Sequence, residues 1–183
     1  PGSYCAEGAS APLPCKEGTY SNATNLASAA DCTLADAGSF ASTGSTTQKQ
    51  CALGTVASDP GMGLCSNCEP GTFQDAPGAT ACKTCTLGSY CAEGASAALP
   101  CPSGRYQNAA MRLLNISMTS EDDCIECPRG SFCSSGSPQP TACSPGPFAP
   151  VTGTGMCDKC EAGTSQAEEG ESGMEGGRGS MHA

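Results

Sequence analysis

The chain has no tryptophan, and its 183 residues include only four tyrosines and four phenylalanines. Leu, Ile, Val and Phe together number 17, well under the share of about 20% below which chains bury too little apolar surface to offset the entropy of folding. An ordinary hydrophobic core is excluded, because much of the 38% hydrophobic composition is Ala and Cys. Basic residues are also few. Eight Lys and Arg stand against 18 Asp and Glu, a net charge of −10, which argues against nucleic-acid or anionic-membrane partners. The one histidine, His182, lies outside any patterned segment, so a Ser/His/Asp or Cys/His constellation has nowhere to form. No Gly-rich phosphate loop is present, because the glycines recur beside cysteines and no GK[ST] follows them. No apolar run approaches the roughly 20 residues of a membrane span. With neither a signal peptide nor an initiator Met, the sequence reads as a piece of a longer secreted or surface-exposed protein. No enzymatic activity and no cofactor are expected of it.

Cysteine and glycine are the residues present in excess, 16 and 24 respectively. This cysteine density is that of disulfide scaffolds in oxidising compartments. The opening PGSYCAEGASAPLPC returns as LGSYCAEGASAALPC at 87–101 and more loosely as RGSFCSSGSPQPTAC at 129–143. Beneath these copies runs a finer unit, the hexad CxxGx[YF], which begins at Cys15, Cys68, Cys85, Cys101, Cys127 and Cys143. Degenerate copies begin at Ala35, Cys51 and Cys160, and Gly2 with Tyr4 completes the set. Every aromatic residue of the chain occupies the last place of this unit. A glycine three residues after a half-cystine suits a turn of positive φ. The aromatic ring is expected to lie over a disulfide or the neighbouring repeat as a miniature core.

One degenerate copy bears on the pairing. Cys82/Cys85 is followed by Cys91, and Cys124/Cys127 by Cys133, each six residues on, but in the copy at Cys32 the matching positions are Ala35 and Ala41. Two cysteines lost together point to a bonded pair, hence Cys85–Cys91 and Cys127–Cys133. The rest then pair in order as Cys15–Cys32, Cys51–Cys65, Cys68–Cys82, Cys101–Cys124 and Cys143–Cys157, leaving Cys5 and Cys160 unpaired in this segment. An interleaved pattern, first to third and second to fourth, remains the alternative. Loops of about 15 residues each restrict the unfolded chain by about 3 kcal/mol on the entropic account.

The fold class expected is small and disulfide-rich: tandem cysteine-rich repeats with short β-hairpins and irregular loops, elongated, with little or no helix. Repeats are assigned to 1–50, 51–100 and 101–166, and the acidic, Gly-rich 167–183 is expected to be a disordered tail. Two sequons, Asn22-Ala-Thr24 and Asn115-Ile-Ser117, fall in the two longest loops, where a glycan is accommodated on the surface. The apolar Met111–Ser117 lies in the longer of these and is expected to pack inward.

The run from Cys68-Glu-Pro-Gly71-Thr-Phe73 to Cys82-Lys-Thr-Cys85 resembles the ephrin-receptor-like cysteine-rich repeat, the module named after the ephrin type A/B receptors. More distantly it is similar to the cysteine-rich repeats of tumour necrosis factor and growth-factor receptors. The resemblance covers residues 1–166 and departs from the pattern at Ala35, Ala41, Val56 and Ser165. It implies an extracellular spacer or recognition module with protein, matrix or glycan partners, or a fragment of a ligand-binding receptor ectodomain. It implies no kinase, and the module itself fixes no function.

Zinc is the chemical rival. Four CxxC pairs are present, Cys65/Cys68, Cys82/Cys85, Cys124/Cys127 and Cys157/Cys160, and the first two stand near the spacing of four-cysteine zinc modules. A zinc scheme leaves Cys91, Cys101, Cys133 and Cys143 without a role, so disulfides and no metal are expected. A redox CxxC would require a helix start in a βαβ setting, which the periodicity does not offer. Glu121-Asp122-Asp123 offers carboxylates for Ca²⁺ in principle, but adjacent acids in a loop read as solvated.

Overall fold

The computed structural model describes residues 1–108 and 118–160, together with positions 110, 164–165, 170 and 175–176. Among the described residues, nine two-stranded antiparallel sheets follow one another along the chain, each strand two residues long. Helical geometry is scarce there: besides Ala110, two single 3-10 turns, Ala29–Asp31 and Glu121–Asp123, precede Cys32 and Cys124. The chain is thus small, disulfide-rich and built of hairpins and loops.

Six of the hairpins start from their hexads in the same way. In the copy at Cys15, the Thr19 amide donates to the Lys16 carbonyl at 3.0 Å across a turn whose third residue, Gly18, has φ +82°. A side chain at that φ costs about 1–2 kcal/mol, which is why glycine holds this place. The two residues after the glycine form the first strand, ending in the aromatic. The second strand immediately precedes a half-cystine in most copies, so the next hexad begins where the last hairpin closes.

Two compact units are formed, Pro1–Thr84 with Ala92–Ala97, and Cys85–Cys91 with Ala98–Ala183. The first holds the pairs Ser3–Tyr4 with Leu13–Pro14, Thr19–Tyr20 with Thr33–Leu34, Ser39–Phe40 with Lys49–Gln50, Thr55–Val56 with Ser66–Asn67, and Thr72–Phe73 with Lys83–Thr84. Backbone bonds link each hairpin to the next. The hexad glycine amides of Gly2, Gly18, Gly38 and Gly54 donate to the carbonyls of Ser21, Ala41, Ala57 and Gln74, each the residue after the next aromatic slot, at 2.7–2.8 Å. The amides of Ser21, Ala41, Ala57 and Gln74 donate in turn to loop carbonyls of the following hairpin: Ser45, Met62, Ala79 and Ala95. These bonds run unbroken past residues 50 and 51.

The second unit repeats the scheme with Ser89–Tyr90 paired to Leu99–Pro100, Arg105–Tyr106 to Ile125–Glu126, and Ser131–Phe132 to Thr141–Ala142. An isolated antiparallel bridge, Phe148 to Asp158, stands in the place of the next hairpin. Gly88, Gly104 and Gly130 donate to the carbonyls of Gln107, Cys133 and Ala149. Gly170, at φ +78°, donates to the Cys143 carbonyl at 2.9 Å, and Glu175–Gly176 pair with Thr164–Ser165. These contacts are made by backbone groups, so a composition poor in large side chains does not forbid them. The other residues of 167–183 lie outside the described residues, as do Met111–Ser117.

Most of the bonded cysteines are buried, and so is the residue after the aromatic slot in every described copy but the first, where Cys5 is exposed. Ser21, Ala41, Ala57, Gln74, Cys91, Gln107, Cys133 and Ala149 are all buried, whereas all eight aromatic residues are only half-buried. The rings therefore roof the core and do not fill it. Tyr90 packs against the cluster of Cys101, Met118 and Cys124, and Tyr20, Phe73 and Tyr106 form parallel bridges to the loop residues Ser45, Ala95 and Ser137.

Candidate functional site

The cysteine framework is the chemically distinctive feature. Seven disulfides are formed: Cys15–Cys32, Cys51–Cys65, Cys68–Cys82, Cys85–Cys91, Cys101–Cys124, Cys127–Cys133 and Cys143–Cys157. Their Cα atoms lie 5.7–6.1 Å apart, within the span a disulfide bridges without moving the backbone. These are the pairs of the sequential scheme, and the interleaved alternative is absent. Cys5 is free and exposed, while Cys160 is free and half-buried with its thiol against the Gly146 carbonyl.

Two loop classes result. Cys85–Cys91 and Cys127–Cys133 join the first residue of a hexad to the residue after its aromatic, a separation of six. The other five close a hairpin, with separations of 14 to 23. Three of the four CxxC pairs therefore have their two cysteines in different bonds, and in the fourth Cys157 is bonded while Cys160 is free. Cys65 belongs with Cys51 and Cys68 with Cys82, while Cys124 belongs with Cys101 and Cys127 with Cys133. A disulfide sulfur is not the thiolate that zinc or a nucleophilic reaction requires. Among the described residues no three of His, Cys, Asp or Glu gather as a metal site.

The acidic run before Cys124 is occupied locally. Asp123 Oδ2 accepts the backbone amides of Thr119 at 2.8 Å and Ser120 at 2.9 Å, and both hydroxyls as well. These donors, the Thr119 amide first, hold its carboxyl below the ordinary aspartate value. Asp31, in the equivalent place before Cys32, accepts from Ser28 and Ala27 at 2.8 and 2.9 Å, and its carboxyl is lowered for the same reason. The shared pattern Ser-x-x-Asp-Cys, at Ser28–Cys32 and Ser120–Cys124, is the signal that marks both turns. Asp75 is lowered by the hydrogen bond from the Lys83 ammonium. Glu121 and Asp122 are exposed.

Two buried glutamines escape a reading based on cysteine, glycine and aromatics. Gln107 Oε1 accepts the Gly88 amide at 2.8 Å. Gln74 holds its own loop, donating to the Ala81 carbonyl at 2.6 Å and accepting the Ala76 amide at 3.0 Å. Their position, directly after the aromatic, is the available signal. A second signal is the loop glycine found four or five residues after the aromatic slot, as at Gly44, Gly61, Gly78 and Gly94, each at positive φ. Where that glycine is missing after Tyr20, Asn25 takes the conformation at φ 65°, as asparagine is able to do. Asn22 is exposed in the same loop, and Asn115 lies outside the described residues. Among the described residues no helix is long and apolar enough to cross a membrane. No protein-family model matches this chain, and no curated protein matches it either.

Proposed function

We propose that this chain is a non-enzymatic cysteine-rich repeat region of a larger secreted or cell-surface protein, serving as a structural spacer or as an adhesion or recognition module. The observation that carries this reading is that 14 of the 16 cysteines are held in disulfides, with three of the four CxxC pairs split between different bonds. Fourteen cysteines held as disulfides persist in an oxidising compartment and not against a reducing cytosolic pool. Function in such a module comes from what the staples present, because the sulfurs themselves are chemically closed. The likeness of the hexads to the ephrin-receptor-like repeat supports the same reading. Partners of protein, matrix or glycan character fit an acidic, hairpin-built surface better than nucleic acid does.

The test is secretion of the chain from a eukaryotic host, with thiols counted by alkylation before and after reduction. Two alkylatable thiols in the native protein and 16 after reduction are expected. A folded protein with all its thiols free that loses structure on chelation would replace this reading with a zinc array.

A further inference from the structure

The loop between Tyr20 and Cys32 holds a segment that the fold leaves unused. Ser21 is tied on both sides, its carbonyl accepting the Gly2 amide at 2.7 Å and its amide donating to the Ser45 carbonyl at 3.1 Å. The Leu26 carbonyl accepts the Cys5 amide at 2.9 Å, and Asp31 gathers the amides of Ala27 and Ser28. Between these anchors, residues 22–25 are exposed and make one hydrogen bond, from the Ala23 amide to Ser21 Oγ at 3.2 Å. The Asn22 carboxamide makes none, whereas the carboxamide of Asn67 donates to Glu93. Asn22 is also followed by Ala23 and Thr24, the acceptor triplet for N-linked glycans, but Asn25 and Asn67 are not.

We propose that Asn22 is an N-glycosylation site, and that the loop Ser21–Leu26 presents the glycan on the folded surface. This inference rests on the secretory reading given above. The donor class is a polyprenyl-pyrophosphate-linked oligosaccharide. The Asn22 carboxamide nitrogen attacks C1 of its first sugar and the N–C1 bond forms. The bond from C1 to the pyrophosphate oxygen breaks, its electron pair leaves on the polyprenyl pyrophosphate, and one carboxamide proton passes to base. No oxidant or reductant takes part. A sugar on this nitrogen displaces no hydrogen bond and enters no buried space, so the stapled hairpins form around it unchanged.

The full chain secreted from a eukaryotic host would be treated with peptide-N-glycosidase in ¹⁸O-water and its intact mass and peptides measured. The expected result is loss of the glycan at Asn22, with conversion of Asn22 to ¹⁸O-labelled Asp in its peptide. Asn22→Gln and Thr24→Ala should each abolish that site while keeping two free thiols, and Thr24→Ser should retain it. A secreted protein with its disulfides formed and Asn22 unmodified overturns this inference and leaves the proposed function standing. Unmodified Asn22 in a protein whose cysteines are all reduced overturns both.

Discussion

Gly8 and Gly18 have nearly the same backbone conformation, φ +75° and +82°, in different surroundings. A Cβ on Gly18 would lie 1.9 Å from the Gly61 carbonyl oxygen, two hairpins further along, whereas a Cβ on Gly8 meets nothing within 4 Å. Gly18→Ala must therefore both strain the turn and push two backbones apart. It should cost about 2–4 kcal/mol, against about 1 kcal/mol for Gly8→Ala, in denaturant melts of the oxidised protein. Equal losses would mean that only the φ matters and that the close approach is relieved cheaply. Asp123 makes a second prediction at this scale. Its folded-state carboxyl lies below the unfolded value, so the stability it contributes is present above about pH 4 and is lost as pH falls through the folded value. Amide exchange of Thr119 and Ser120, taken relative to the intrinsic rate at each pH, should accelerate over that acid range in the native protein. In Asp123→Asn it should be fast already at neutral pH and show no further acid transition.

At the scale of the hairpin, one repeat provides an experiment. Ala35 and Ala41 occupy the places held by Cys85 and Cys91 in a later copy, and both are buried. The Gly18 carbonyl accepts the Ala35 amide and the Gly18 amide donates to the Ala41 carbonyl, at 2.9 and 2.7 Å, so one glycine fixes both positions. Ala35→Cys with Ala41→Cys should close a disulfide spontaneously during secretion and raise stability by about 2 kcal/mol, the value for a short loop. Two additional free thiols would show that the repeat has diverged beyond repair by these two residues. The sequence made the hexad legible, since its cysteines, glycine and aromatic carry the turn and the staple in their side chains or in the lack of one. The links between hairpins were hidden because they are backbone amides and carbonyls, present in every sequence. The core position was hidden for a related reason: Ser21, Ala41, Gln74 and Cys91 have no chemistry in common beyond fitting a tight, buried place. The aromatic beside it drew attention by its identity, although it stays half-exposed.

At the scale of the molecule, the covalent links are all local. No disulfide spans more than 23 residues, and the hairpin-to-hairpin bonds within each compact unit reach only the next copy or the one after. Such a chain is held as a succession of neighbour contacts, with stability spread along it. The two unpaired cysteines report on this arrangement from opposite ends. Exposed Cys5 should be alkylated in the native protein faster than Cys160, whose thiol lies against the Gly146 carbonyl, and similar rates would mean that the second contact is open in solution. The most direct test of the whole account is peptide mapping of the secreted protein under non-reducing conditions. Linked peptides are expected for Cys85–Cys91 and Cys127–Cys133 and for the five hairpin-closing pairs, with Cys5 and Cys160 recovered alkylated. Recovery of Cys82 joined to Cys91, or of Cys124 joined to Cys133, would contradict it.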